Sequence, residues 1–252
     1  VTATAAARPP RPSARRRAVR RFVPPQHGAW AMLLLPWLTG VLVAGFRWPH
    51  APLLGAWLAG YLASYYALQA VKTRRLRRFR APLLAYAPVA AVLGAVVVAA
   101  RPGVLAYAPA YALLLAVNVA YAWRRRERAL ANDLASVAQS CLMVLVAATV
   151  AGEPPATVGV AFTAVLLYFA GTVLYVKTMI RERGSAAYRR ASVAYHLVAA
   201  AVAAWLSVPL GVVFALLLAR AWLLPRRRLA PVRVGLIEIA GCLAVLGAIL
   251  LS

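Results

Sequence analysis

Acidic side chains are nearly missing from this chain: five Asp and Glu stand against 29 Lys and Arg, and Asp133 is the sole aspartate. With so few carboxylates, a cage of oxygen ligands for a hard cation has little to be built from. Cysteine is scarce as well. Cys141 and Cys242 both fall inside apolar runs, where a thiol packs as a small buried side chain, and two such residues set no disulfide framework. The chain also lacks His-Glu-x-x-His, Cys-x-x-Cys, a phosphate-binding Gly-Lys-Ser/Thr loop and any Ser-His-Asp order. The zinc, nucleotide and triad chemistries carried by those motifs are thereby excluded.

Apolar residues fill much of the remainder. Of 252 residues, 64% are hydrophobic and the mean hydropathy is +0.76, well above the apolar share of soluble domains. Long apolar runs recur, which predicts an all-α, polytopic membrane helical bundle. The net charge of +24 would suggest nucleic acid in a soluble protein. Here the cations lie between apolar runs, so they read as topological signals, and a stacking platform with a basic groove has nowhere to form. The partners implied are the bilayer and its anionic lipids.

Residues 1–25 are rich in Ala, Pro, Arg and Ser and read as a disordered, basic cytoplasmic tail. The apolar run that follows is long and shows no small-residue cleavage site, so it reads as an uncleaved first span. Residues 26–252 form a single transmembrane helical domain. Spans are expected near 30–46, with Pro36 as a kink, then 53–71, 83–100, 105–121, 134–150, 158–176 and 234–251. Between the last two lies an apolar stretch, 192–222, that as one helix would be about 46 Å long, too long for a single crossing. Pro209 predicts two helices meeting around 207–209. Nine helices with the N-terminus inside leave only Arg47 and Arg101 of the 29 cations outside, as the positive-inside rule requires.

The polar residues gather on that same side. Asn132 and Asp133 open an apolar run after the arginine-rich turn 124–128, and Asn132, Ser136 and Ser140 then recur every four residues beside Gln139, keeping one helical face polar. Gln26, His27, Gln69, Lys72, Lys177, Arg181, Glu182, His196 and Glu238 map to the same ends, predicting a polar, basic pocket open to the cytoplasm. Asp133, Glu182 and His27 are the candidate acid–base groups. Gln69, Lys72, Asn132, Lys177, Arg181 and His196 are the candidate substrate-binding groups, and no residues suggest a metal site. Blander readings stand beside these: His27 as an interfacial side chain, and Lys177 and Arg181 as solvated charges. Four residues apart on one face, those two cations repel unless a carboxylate or a bound anion lies near. Val-Lys-Thr closes span two at 71–73 and span six at 176–178, the echo an internally duplicated bundle would leave.

The opening Pro24-Pro25-Gln26-His27-Gly28-Ala29-Trp30-Ala31-Met32 resembles the start of the YwiC-like family of bacterial membrane proteins. The Asn132-Asp133 entry and the segment Leu174-Tyr175-Val176-Lys177-Thr178-Met179-Ile180-Arg181-Glu182 resemble that family too. The resemblance implies a multi-pass protein of a bacterial inner (cytoplasmic) membrane. More distantly, Tyr121 to Arg128 followed by Asn132 is similar to the turn after helix four of the UbiA-type prenyltransferases, which have nine helices. Those enzymes hold Mg²⁺ and an isoprenoid diphosphate with two aspartate-rich motifs. This chain offers Tyr65, Gln69 and Thr73 at one such place and Glu182 at the other, so the usual Asp-rich Mg²⁺ ligands are absent; the resemblance leaves Mg²⁺ open and the cofactor unassigned.

Three functions follow as expectations. The leading one is UbiA-like binding or transfer of an isoprenoid diphosphate or other anionic lipid, with Lys72, Lys177 and Arg181 as an anion clamp. The alternatives are a permease for a small anion using the same cations, and a non-catalytic membrane component. Oligomeric state is not set by the sequence.

Overall fold

The structure, a computed structural model, describes residues 22–24, 27–227 and 229–252, without the side chains of His27 and Gly28. Most of the basic tail, Gln26 and the candidate group of His27 lie outside these described residues. Among them the chain forms nine α-helices: α1 (His27–Ala44), α2 (His50–Thr73), α3 (Leu76–Ala100), α4 (Ala108–Trp123), α5 (Leu130–Ala151), α6 (Gly159–Ile180), α7 (Ala186–Leu206), α8 (Val208–Leu223) and α9 (Pro231–Leu250). Short 3₁₀ turns at Pro102–Tyr107, Pro155–Val158 and Leu224–Arg226 join some of them. Six helical segments, those built on α3, α4, α5, α6, α8 and α9, are long and apolar enough to cross a membrane.

The long apolar stretch divides where proline predicts. Ser207 is extended (φ −164°, ψ 153°) and its Oγ accepts the Leu210 amide at 3.3 Å, capping α8 with Pro209 in the first turn. α1 continues through Pro36 to Ala44. In α3 the helix starts at Leu76, well before the apolar run, because its first turns carry exposed Arg77, Arg78 and Arg80. Arginine is a good helix former whose stem lies along the helix while its head stays in water.

α5 and α6 form the centre. The larger core joins Val137, Cys141 and Val144 of α5 to Val165, Tyr168 and Phe169 of α6, with α7, α8 and α9 closing around them. The opposite face of α5 packs Met143, Val146 and Val150 against Leu53 of α2 and Val97 of α3. Close approach rests on small residues, as in membrane bundles generally. A Cβ on Gly40 would lie 2.6 Å from the Ala147 methyl between α1 and α5, and one on Gly211 would lie 2.9 Å from Ala204 between α8 and α7. The outer surface is apolar on many sides: Leu84 and Val92 of α3, Leu113 of α4, Leu197 and Val198 of α7 and Leu243 of α9 are exposed. Such a surface suits lipid rather than water.

Helix order puts the 124–129 turn and the 152–157 segment at opposite ends of α5. Cys141 and Cys242 are buried and unpaired, so an added thiol reports its own side. In intact cells an impermeant maleimide is expected to label Glu153→Cys and to leave Arg125→Cys untouched until the membrane is opened. Labelling of Arg125→Cys in intact cells would overturn the orientation read from the cations.

Candidate functional site

Two ion pairs form around the turn between α4 and α5. Lys72, in the last turn of α2, pairs with Glu127. Lys177, in the last turn of α6, lies 2.8 Å from Asp133 and also donates to the Arg128 carbonyl at 2.7 Å. Helix dipoles favour this placement, since Asp133 lies in the first turn of α5 and both lysines lie in final turns. The repeated Val-Lys-Thr behaves alike in both places. Each lysine reaches a carboxylate flanking the same turn, and each threonine donates to the carbonyl four residues back, Thr73 to Gln69 at 2.7 Å and Thr178 to Leu174 at 2.8 Å.

The polar stripe on α5 joins helices together. Asn118 of α4 donates to Asn132 Oδ1 at 2.9 Å and to Ser136 Oγ at 3.2 Å, and Asn132 Nδ2 donates to the Glu127 carbonyl at 2.8 Å. Ser140 donates to the Met32 carbonyl of α1. Polar side chains of this kind hold membrane helices to one another. Asn118, unremarked in the sequence, is buried at the centre of this network.

The expected clamp of Lys72, Lys177 and Arg181 does not assemble as an open anion site, because Lys72 and Lys177 are each committed to a carboxylate. Lys177 is buried while Arg181 is exposed, which also relieves their repulsion. Glu182 is half-buried just past α6 and makes no ion pair among the described residues. Gln69 is half-buried on α2. His196 belongs to a different cluster, in the α6–α9 group.

That second cluster lies deeper. Arg220 of α8 pairs with Glu238 of α9. The other Glu238 oxygen accepts from Thr172 Oγ1 at 2.7 Å, while the Tyr168 hydroxyl donates to the Glu238 backbone carbonyl at 2.8 Å and lies 3.2 Å from the same carboxylate oxygen; both donors are on α6. His196 of α7 donates Nδ1–H to the Ser192 carbonyl at 2.7 Å, which leaves the Nε2 lone pair facing Arg220 Nη2 at 3.4 Å. The Arg220 guanidinium lies 4.1 Å from the Tyr175 ring centroid. Two glycines make room: a Cβ on Gly171 would meet His196 Nε2 at 3.1 Å, and one on Gly241 would meet the Tyr168 hydroxyl at 2.8 Å. Glu238 is seven residues into α9, about 10 Å of helix. Buried ionisable groups at that depth mark functional sites in membrane proteins. Three donors of this cluster, Arg220 Nε, the Tyr175 hydroxyl and Ser192 Oγ, are buried without an acceptor among the described residues.

The sequence alone assigned Arg220 to the solvated cations between spans. The signal that could have found it was Glu238, an acid well inside an apolar run, which demands a cation from another helix. A cavity opens at the α7–α8 end of the bundle, lined by Arg189, Arg190, Val193, Ala194, Trp222 and Arg226, and none of the predicted site residues lines it. No group of three or more His, Cys, Asp or Glu gathers as metal ligands among the described residues.

These features define a helical membrane protein with interhelical charge pairs inside its bundle. Residues 23–148 match the family described as YwiC-like protein, and the chain belongs to that family. It is 31% identical to the uncharacterised protein YwiC of Bacillus subtilis over 71% of this chain and 75% of that one. It is also 31% identical to an uncharacterised protein of Haemophilus influenzae over 85% of this chain and 91% of that one. No solved structure matches it.

Two predictions follow from the charge pairs. Lys177→Met removes the buried partner of the partly exposed Asp133 and is expected to cost about 1–2 kcal/mol in thermal unfolding in detergent micelles, most of it recovered by adding Asp133→Asn. Equal losses in the single and double variants would show that the pair does not couple. At the α4–α5 turn, the hydrogen-bonded Lys72 ammonium holds the Glu127 carboxyl below the ordinary glutamate range. A depressed carboxylate stabilises above its unfolded-state value and loses that contribution as pH falls through the folded one. Wild type should therefore exceed Glu127→Gln in stability at about pH 7, by less than about 1 kcal/mol because the pair is one-third exposed. That difference should vanish by about pH 3.

Proposed function

We propose that this protein is a permease for a small anion, and that its binding site is the Arg220 cluster of α6–α9. The observation that carries the reading is the set of orphan donors. Arg220 Nε, the Tyr175 hydroxyl and Ser192 Oγ are buried with no acceptor among the described residues. A buried donor left unpaired costs about 1–3 kcal/mol, and a small anion at Arg220 supplies the acceptor that its Nε lacks. The burial agrees with it: His196 and Arg220 are both buried between helices rather than in the connecting turns.

The ion pair gives the site a coupling rule. In the resting arrangement Glu238 neutralises Arg220. An anion arriving at Arg220 adds a negative charge beside that carboxylate, and two anions about one cation in a low dielectric are unfavourable. Taking a proton onto Glu238 removes the conflict. Thr172 and Tyr168 continue to hydrogen-bond the neutral acid, while Arg220 turns its charge to the anion. Anion binding is thus linked to uptake of one proton and strengthens as pH falls.

The transferase reading uses the clamp residues around Lys72 and Lys177, both paired with carboxylates, and finds less support. One preparation distinguishes the two. Purified protein in liposomes is given gradients of chloride, acetate or phosphate and, separately, a prenyl diphosphate. At least one small anion is expected to move together with protons. Arg220→Gln/Glu238→Gln, neutral and similar in shape, should fold yet lose that flux about 100-fold. Glu238→Gln alone should keep anion binding and lose its pH dependence. Diphosphate release without anion flux would sink the permease and restore the transferase.

A further inference from the structure

Between the start of α7 and the end of α8 the surface opens into a cavity of about 300 Å³, lined by Arg189, Arg190, Val193, Ala194, Trp222 and Arg226. We propose that this cavity binds an anionic phospholipid, its phosphate held by the three arginines and an acyl chain lying along α7. The site is separate from the Arg220 cluster and does not depend on the function proposed for it.

The charges at its mouth are uncompensated. Lys72, Lys177 and Arg220 each have a carboxylate, but Arg189, Arg190 and Arg226 make no ion pair among the described residues. Three guanidiniums sharing one cavity repel, and an anion between them relieves the repulsion. Arginine suits a phosphate in particular, since its planar fork donates two parallel hydrogen bonds to adjacent oxygens. Arg189 and Arg190 also stand near the N-terminal end of α7, where the helix dipole adds positive potential.

The floor of the cavity points to an amphiphile. Val193 and Ala194 are apolar, and the outer face of α7 continues past them through Leu197 and Val198, 59% and 62% exposed. From Arg190 to Val198 is about 12 Å of helix, an apolar track leading from the arginines towards the membrane interior. Trp222 stands half-exposed at the mouth, with the Arg226 guanidinium 5.6 Å from its ring centroid. Tryptophan prefers this headgroup level. Free phosphate would use the arginines and leave the apolar track uncovered, whereas a lipid uses both. With three cations and no acid in the lining, a net-negative lipid is favoured over a zwitterionic one.

The test uses the full chain in detergent micelles, titrated with phosphatidylglycerol or phosphatidylcholine whose chains are brominated to quench tryptophan. Subtracting Trp222→Phe isolates the signal of Trp222. Phosphatidylglycerol is expected to quench it at least tenfold more effectively than phosphatidylcholine. Arg226→Gln should reduce that preference about fivefold, and Arg189→Gln/Arg190→Gln/Arg226→Gln should abolish it. Arg124→Gln/Arg125→Gln/Arg126→Gln removes the same charge from the α4–α5 turn and should leave the preference intact. Equal quenching by both lipids overturns the proposal. So does equal loss in the two triple variants, which would reveal diffuse surface attraction. Complete displacement of phosphatidylglycerol by millimolar inorganic phosphate would assign the cavity to free phosphate instead. If the triple variant at the cavity fails to fold, the single Arg226→Gln measurement decides.

Discussion

A charge buried among helices in lipid needs its opposite on another helix, and that requirement organises the bundle. Lys177–Asp133 and Arg220–Glu238 meet it between helices, and Lys72–Glu127 ties the last turn of α2 to the partly exposed α4–α5 turn; together the three pairs use three of the five acids in the chain. Removing one member of an interhelical pair strands its partner where little can solvate it, so those two pairs constrain which helices may be neighbours even where their net contribution to stability is small. Apolar packing around them is abundant but indiscriminate, since leucine finds lipid as acceptable as another helix.

α6 links the two polar regions. Its last turn carries Lys177 towards the α4–α5 turn, while Tyr168, Thr172 and Tyr175 reach towards Arg220 and Glu238. A shift of this helix would be felt by both clusters. At Gly171 and Gly241, which border the deeper cluster, a Cβ would crowd His196 and Tyr168, so α6 approaches α7 and α9 closely there. The lipid-facing cavity on α7 and α8 has the opposite character, with exposed arginines and an open mouth.

Much of this architecture was legible beforehand because it depends on local pattern. Apolar run length marks helices, and Ser207 with Pro209 marks the break between α7 and α8 through capping and the lost proline N–H. The polar stripe of Asn132, Ser136 and Ser140 announced a face making contacts, as it does. α3 contains the expected span near 83–100 and starts earlier, at Leu76, because a helix is not bounded by its apolar portion. Pro36 does not break α1, whose helix continues through it as membrane helices allow. Asp133 was singled out by its rarity as a candidate acid–base group, and Lys177 was grouped with Arg181 by spacing along one helix; the structure pairs the two with each other.

Sequence by itself determined the helices, their apolar exteriors and the scarcity that makes every carboxylate here significant. These properties are set within a few residues of each position, by periodicity, capping and composition. Only the tertiary structure decided which acid faces which base. Arg220 and Glu238 lie 18 residues apart, Lys72 and Glu127 55, and nothing local tells a solvated arginine from one folded inward. That choice belongs to helix packing, where a buried acid on one helix selects its cation from another.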